Sequence, residues 1–290
     1  MNRSLILVAV AAAVLLCHPA TGFATSELGS AAQSFAVLGY AGVTNAHVDD
    51  NPQTTIYGNV GVSPGAISLI TGFPPGIVTG GSIHGPDGDS NQALADVNTA
   101  YGVLSSLSPT SNLTGQDLGG KTLTPGVYHF DSTAGLTGTL TLDAQNNPNA
   151  LFVFQVGSAL TTASASFVNV INGDSSTEVY WLTGSAATLG SSTVFAGNIL
   201  AYAGISLDST AEILCGRAFS RTASVTLIDN VISNNNSEFN NDTGRLDFGS
   251  YGFSGGPNGG SGVIPEPITL SGLFLGVGTL GGYFRRRARR

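Results

Sequence analysis

From residue 151 to 233 the chain repeats itself. The stretches "LFVFQVG", "VYWLTG", "ILAYAG" and "AFSRTA" open successive units at 151, 179, 199 and 218. The first unit is lengthened by an insertion near "NGDSSTE", and the others run about 19–20 residues. A unit this short cannot bury its own apolar side. Neighbouring units must stack, and three short strands joined by turns in each unit give a β-solenoid.

Aligning the second strand of each unit separates an inside from an outside. One column holds Leu160, Ala187, Ile205 and Val225, and another, two residues on, holds Thr162, Leu189, Leu207 and Leu227. Side chains alternate across a strand, so both columns are expected to point inward. The column between them holds Thr161, Thr188, Ser206 and Thr226 and is expected to point outward. "GTLTLDA" fits the same frame through Leu140-Thr141-Leu142, which extends the outward column to Thr141 with Thr139 beside it. Ala159, Ala186, Gly204 and Ser224 form the adjoining outward row. Stacked at about 4.7–4.9 Å per rung, these residues make a flat grid of hydroxyls and methyls. Threonine is also a good strand former, so the same column is compatible with a ladder that holds no ligand.

Elsewhere the body reads as short strands between Gly, Asn and Ser, with one exception. In "DSNQALADVNTAYGVLSSLSP", Leu94, Val97, Tyr101 and Leu104 recur at helical spacing. The pattern predicts a helix over about 89–107, capped by Asp89 or Ser90 and ended by Pro109. Its apolar stripe must lie against something.

Both ends read as targeting segments. Arg3, the apolar run Leu5–Leu16 and the small residues Gly22 and Ala24 fit a secretory signal peptide over 1–24. Leu16 is too large to precede a lipidated Cys17. Residues 234–262 are rich in Asn, Gly and Ser and read as a flexible linker. After them come Pro265-Glu266-Pro267, an apolar stretch at 268–284 and an Arg-rich end. That stretch is at the short end of what spans a bilayer, and the arginines would stay cytoplasmic. This trio resembles the PEP-CTERM sorting signal of Gram-negative bacteria. The resemblance implies recognition by an exosortase-type enzyme, loss of the tail, and delivery to the cell surface or extracellular matrix. A plain C-terminal membrane anchor is the alternative.

The charge balance narrows the partners. The chain has 10 Lys and Arg against 18 Asp and Glu. Outside the two ends only Lys121, Arg217, Arg221 and Arg245 remain basic. A strongly acidic body disfavours nucleic acid and anionic membrane.

The body resembles the bacterial and fungal ice-binding proteins of the DUF3494 type. The resemblance is carried by "FAVLGYAGVTN", "GNVGVSPG", "TGFPPG", "LTPGVYHF", "LFVFQVGSALTTAS", "VYWLTGSAATLG" and "GRAFSRTASVTL", in that order over about 31–233. It implies a right-handed three-faced β-helix whose coils stack out of chain order, with one long α-helix alongside. It also implies that a free flat face adsorbs to ice without catalysis. Carried onto this sequence, that face comprises Thr141, Thr161, Thr188, Ser206 and Thr226, flanked by Thr139 and Ser224. Thr44 of "GVTN" supplies a further rung from the N-terminal part. Asp208 and Ile228 fall in a third outward column and interrupt the grid.

Other chemistry finds little support. Gly252-Phe253-Ser254-Gly255-Gly256 has a nucleophile-elbow spacing but sits in the Gly-rich linker. His18, His47, His84 and His129 do not pair at metal-ligand spacing. "DGDSN" at 87–91 lacks the glycine and closing glutamate of a calcium loop. Cys215 reads as a buried packing residue. No catalytic residue, metal or cofactor is expected. The competing reading is a structural or adhesive surface protein binding polysaccharide or another protein. Exposed aromatics would favour it, and the threonine column has none. An enzyme of the β-helix polysaccharide lyase kind would need carboxylates and a basic residue clustered in a groove.

Overall fold

A computed structural model describes residues 27–48, 53–173 and 176–234. The expected signal peptide, the linker beyond Asn234 and the sorting tail with Pro265, Glu266 and Pro267 lie outside the described residues.

The chain winds as a parallel β-helix with three faces. Each coil contributes one strand to a face covered by the long helix, one to a second face, and one to a third. A coil in full reads Leu151–Val156, Leu160–Thr162, Phe167–Ile171. In later coils the third-face strand runs on round the corner into the next coil, as in Val194–Ala201 and Glu212–Ser220. Two faces therefore join into one 15-stranded sheet, while the second face forms a separate 7-stranded sheet. The corner in these bent strands is tight. Gly197 sits at φ +103°, and a Cβ there would come within 2.7 Å of Val179 Cγ1. In the longer first unit the strands on either side of this corner, Phe167–Ile171 and Glu178–Thr183, are separate.

The coils stack out of chain order. On the helix-covered face one inward column runs Tyr128, Phe154, Trp181, Ile199, Ala218, Val37, Val60, Ile83. The step from 218 to 37 places the N-terminal coils after the last repeat. Aromatic rings fill the core toward one end of the stack. Phe154 and Trp181 stack at 3.8 Å between centroids, with Tyr128 at 5.3 Å from Phe154 and Phe195 at 4.9 Å from Trp181. The Trp181 indole N–H donates to the Ala196 carbonyl at 3.0 Å, so no polar atom of that ring is stranded in the core.

The inward columns expected from the repeat are buried, Thr162 included. Its hydroxyl is satisfied by Thr193 at 2.9 Å and by the Gly190 N–H at 2.9 Å. Cys215 is buried, as expected.

The helix forms at Gly88–Ser105. It carries the chain from the strand Ile83–His84 at one end of the stack to Ser111–Asn112 at the other. Eighteen residues at 1.5 Å each give about 27 Å, enough to run along most of the stack. Its buried face is Ala93, Val97, Ala100 and Leu104, packed on Leu38, Tyr180, Leu182, Leu200 and Phe219. Leu94 and Tyr101 of the expected stripe are half-buried flanks, because small alanines let the helix settle close to the sheet.

The cap is Asp87 rather than Asp89 or Ser90. Asp87 accepts from the Ser90 N–H at 2.8 Å, and the Ser90 hydroxyl accepts from the Asp87 N–H at 3.1 Å. The Ser90 backbone bond holds the Asp87 carboxyl below its ordinary value. Its contribution is complete above the usual carboxylate pKa of 3.8 and fades as pH falls below that value. Asp87→Ala is expected to cost about 1 kcal/mol, lowering Tm by about 2–4 °C at neutral pH. Thermal unfolding of the two proteins at pH 7 and pH 2.5 checks this, because the difference should shrink at the lower pH.

Candidate functional site

The 7-stranded sheet builds the candidate site. Its order is Ala134–Leu136, Leu160–Thr162, Ala187–Leu189, Ile205–Leu207, Ser224–Ile228, Gly42–Ala46, Ile70–Thr71. The backbone register aligns Gly135, Thr161, Thr188, Ser206, Thr226, Thr44 and Thr71 in one column. At the usual strand spacing this column is about 29 Å long. Thr161, Thr226, Thr44 and Thr71 are exposed, and Gly135, Thr188 and Ser206 are half-buried between their neighbours.

Thr161, Thr188, Ser206, Thr226 and Thr44 therefore lie together as expected. Ser224 flanks Thr226 and pairs with Gly42. The adjoining row is small, with Ala159, Ala186, Gly204, Ser224 and Gly42 linked from rung to rung. No residue of either row is charged. The hydroxyls also order one another: Ser206 Oγ and Thr226 Oγ1 lie 3.0 Å apart, and the Thr226 hydroxyl donates to the Ile205 carbonyl at 3.3 Å. Strand pairing on both sides of each inner rung holds the array stiff. Asp208 follows its strand at the border with the third face, so its charge sits at the edge of the grid.

Thr141 and Thr139 do not belong to this column. Their strand, Thr139–Asp143, lies on the third face, where Thr141 pairs with Thr122 and Asn169 and Thr139 pairs with Phe167. The cause is the period-2 pattern itself. Leu-Thr-Leu reads alike on any face whose inner side is buried, and nothing local says which of three faces a strand occupies. The segment that does precede Thr161 is Ala134-Gly135-Leu136. Its outward residue is a glycine, so it carries no hydroxyl signal.

Thr71 is the rung that sequence reasoning missed. "LITG" shares only an apolar-Thr pair with "GVTN", and the N-terminal coils fall outside the repeat frame. Register with Thr44 reveals it.

Among the described residues the third face offers no comparable array. One of its outward columns reads Thr139, Phe167, Val194, Glu212, Val231, Thr55, Ile77. Bulky and acidic residues break its flatness. Among the described residues no group of three or more His, Cys, Asp or Glu is placed to hold a metal ion.

Fold and site together define a class: a discontinuous three-faced parallel β-helix, with one face sealed by a helix and another left flat and hydroxyl-rich. The family model described as Ice-binding-like matches residues 37–233, and the chain belongs to that family. An ice-binding protein of Nostoc sp. (strain HG1) is 51% identical over 209 residues, covering 72% of this chain and 74% of that protein. An ice-binding protein of Flavobacterium frigoris (strain PS1) is 34% identical, covering 71% of this chain and 75% of its own. Among solved structures, an ice-binding protein from the Antarctic ascomycete Antarctomyces psychrotrophicus superposes with a TM-score of 0.64 at 38% identity, covering 71% of this chain and 97% of that one. An ice-binding protein from an Antarctic biological consortium gives 0.66 at 36% identity, covering 72% of this chain and 91% of that one. In those solved chains the matched domain makes up 97% and 91% of the length, so there it folds with little else attached.

Proposed function

We propose that this protein adsorbs to ice through the Thr161–Thr188–Ser206–Thr226–Thr44–Thr71 face and so restrains ice growth or recrystallisation. The observation that carries the reading is the column itself: six hydroxyl-bearing rungs in continuous register. Each threonine presents a methyl that water must surround and a hydroxyl that can anchor that water. Immobilising a bridging water costs at most about 2 kcal/mol and often much less. A rigid array has met the ordering cost of its side chains on folding, so first-shell water can take an ice-like arrangement at little further expense. Charges would orient that water differently, and the two rows have none. Membership of the family, and relatives named ice-binding proteins, support the same reading. Adsorption needs no reaction, and the protein acts as a binder rather than an enzyme.

The ends of the chain bear on where it acts. The N-terminal segment 1–24 is read as a secretory signal. The Pro265-Glu266-Pro267 tail, with its apolar stretch 268–284, is read as a sorting signal processed by an exosortase-type enzyme. On this reading the domain works outside a Gram-negative cell, at its surface or within its exopolysaccharide, where ice first meets the cell.

The test is ice recrystallisation in a sucrose film containing residues 25–240. Crystal size should stay near its starting value at micromolar protein while a control protein allows coarsening. Equal coarsening with a folded protein would reject ice adsorption.

A further inference from the structure

The two ends of the stack differ. At the end where the long helix delivers the chain, the coil that starts at Ser111–Asn112 buries Leu113 and Leu118. At the other end the last coil is built from Ile70–Thr71, Ile77–Thr79 and Ile83–His84. Among the described residues each of these strands pairs on one side only, with Gly42–Ala46, Thr55–Tyr57 and Asn59–Val62.

This end is apolar. Ile83 continues the inward column of Val37 and Val60, which are fully buried, yet it stands 37% exposed. Ile70, Phe73 and Val78 are only partly buried against the core. Ile67, Leu69 and Ile77 are 54%, 45% and 47% exposed. Half of the large exposed hydrophobic side chains among the described residues thus sit on one coil. An uncovered inner column beside unpaired strand edges invites association, and solenoids hide such ends.

The route of the chain says what is at hand to cover it. The described chain ends at Asn234, whose N–H donates to the Tyr57 carbonyl at 3.3 Å. Ser233 pairs with Tyr57, and Tyr57 with Thr79 of the last coil. The chain therefore leaves two rungs, about 10 Å, from the open end. Twelve residues on, the Asn-, Gly- and Ser-rich sequence is broken by "LDFGSYGF" at 246–253. Leu246 and Phe248 alternate as on one side of a strand, and so do Tyr251 and Phe253. Twelve residues at up to about 3.3 Å each reach the end with length to spare.

Area separates this segment from a second copy. A coil of about 19–20 residues at about 3.3 Å each encloses roughly 200 Å². A standard interface buries about 800 Å² per partner. The end is too small to hold a free partner, whereas a segment tied to the domain meets it at about millimolar effective concentration.

We infer that residues 246–253 cover the open end, setting Leu246, Phe248, Tyr251 and Phe253 against Ile70, Phe73, Ile77 and Ile83. Added alongside the unpaired edges, the segment serves them as a further strand would. Thr71 lies on the coil so covered, so the same contact steadies the last rung of the hydroxyl face. The inference does not depend on what that face binds.

The test is hydrogen exchange of the full chain in nanodiscs of neutral lipid, read by mass spectrometry, with the double variant Leu246→Asp, Phe248→Asp beside it. Both substitutions lie outside the β-helix and leave its packing alone. Peptides within 67–84 should exchange about tenfold or more faster in the variant, while those within 151–220 stay unchanged. Ile77→Asp, at an exposed position, should in turn speed exchange through 246–253. Equal exchange of 67–84 in parent and double variant would overturn the inference. Protection kept in the variant would assign the end to a second copy if it grew with protein concentration, and to the lipid if it did not.

Discussion

Arg217→Ala is expected to destabilise the domain by about 3–5 kcal/mol, lowering Tm by about 6–20 °C. Arg217 is completely buried in the outer side of the helix-covered sheet. Its Nη2 donates to the Gln33 carbonyl at 2.7 Å and its Nη1 to Asn198 Oδ1 at 3.0 Å. Burial draws its pKa down to about 10, opposed by Tyr180, Glu178 and Cys215, so it stays charged at neutral pH. The bond to Gln33 ties the end of the short helix Ser30–Gln33 to a strand nearly two hundred residues away. That helix leads directly into Phe35–Gly39, the strand that continues the stack after the last repeat. Removing Arg217 leaves a cavity and strands the carbonyls it served. Against a typical total of about 5–15 kcal/mol this is a large fraction. Arg217→Met refills the volume without the charge and should recover part of the loss. Thermal unfolding by circular dichroism checks both, and a Tm change under about 2 °C for Arg217→Ala would contradict the anchoring role.

Thr188→Tyr is expected to lower ice activity by about tenfold or more while leaving stability within about 0.5 kcal/mol. Thr188 is flanked by Thr161 and Ser206 at one strand spacing on each side. A phenol ring is larger than that spacing and rises above the plane of the hydroxyls. Ice meeting the ring would be held off the neighbouring rungs. A gap of about 0.5–1 Å already forfeits a quarter to a half of each contact, so many rungs weaken together. The position is half-buried at the surface, where a larger side chain meets no packed core.

Much of this molecule was legible in the residues. The 19–20-residue repeat fixed the solenoid, and the alternation around Leu160, Ile205 and Val225 fixed its inner columns. The helical stripe of Val97 and Leu104 placed the long helix within two residues at each end. The resemblance implied stacking out of chain order and a further rung at Thr44, and the register places that rung beside Thr226. The residues alone give no such link, because parallel pairing between distant segments leaves no local mark.

The misplacement of Thr141 has the same origin. A strand's own pattern encodes in or out, and the three faces share one code. The Asp87 cap was missed because Asp89 and Ser90 are equally good caps, and only the fixed turn before Gly88 chooses among them. Arg217 shows a further limit. A lone basic residue in a strand reads as surface until the N-terminal helix is seen folding over it.

The central claim is that the hydroxyl face, and not the third face, meets ice. Thermal hysteresis of residues 25–240 tests it most directly when the parent is measured beside Thr188→Tyr and Thr141→Tyr at equal concentration. Thr141 and Thr188 are both half-buried threonines in strands, but they stand on different faces. The account predicts hysteresis in the parent, near-parent hysteresis in Thr141→Tyr and loss in Thr188→Tyr. Loss in Thr141→Tyr with activity kept in Thr188→Tyr would contradict it.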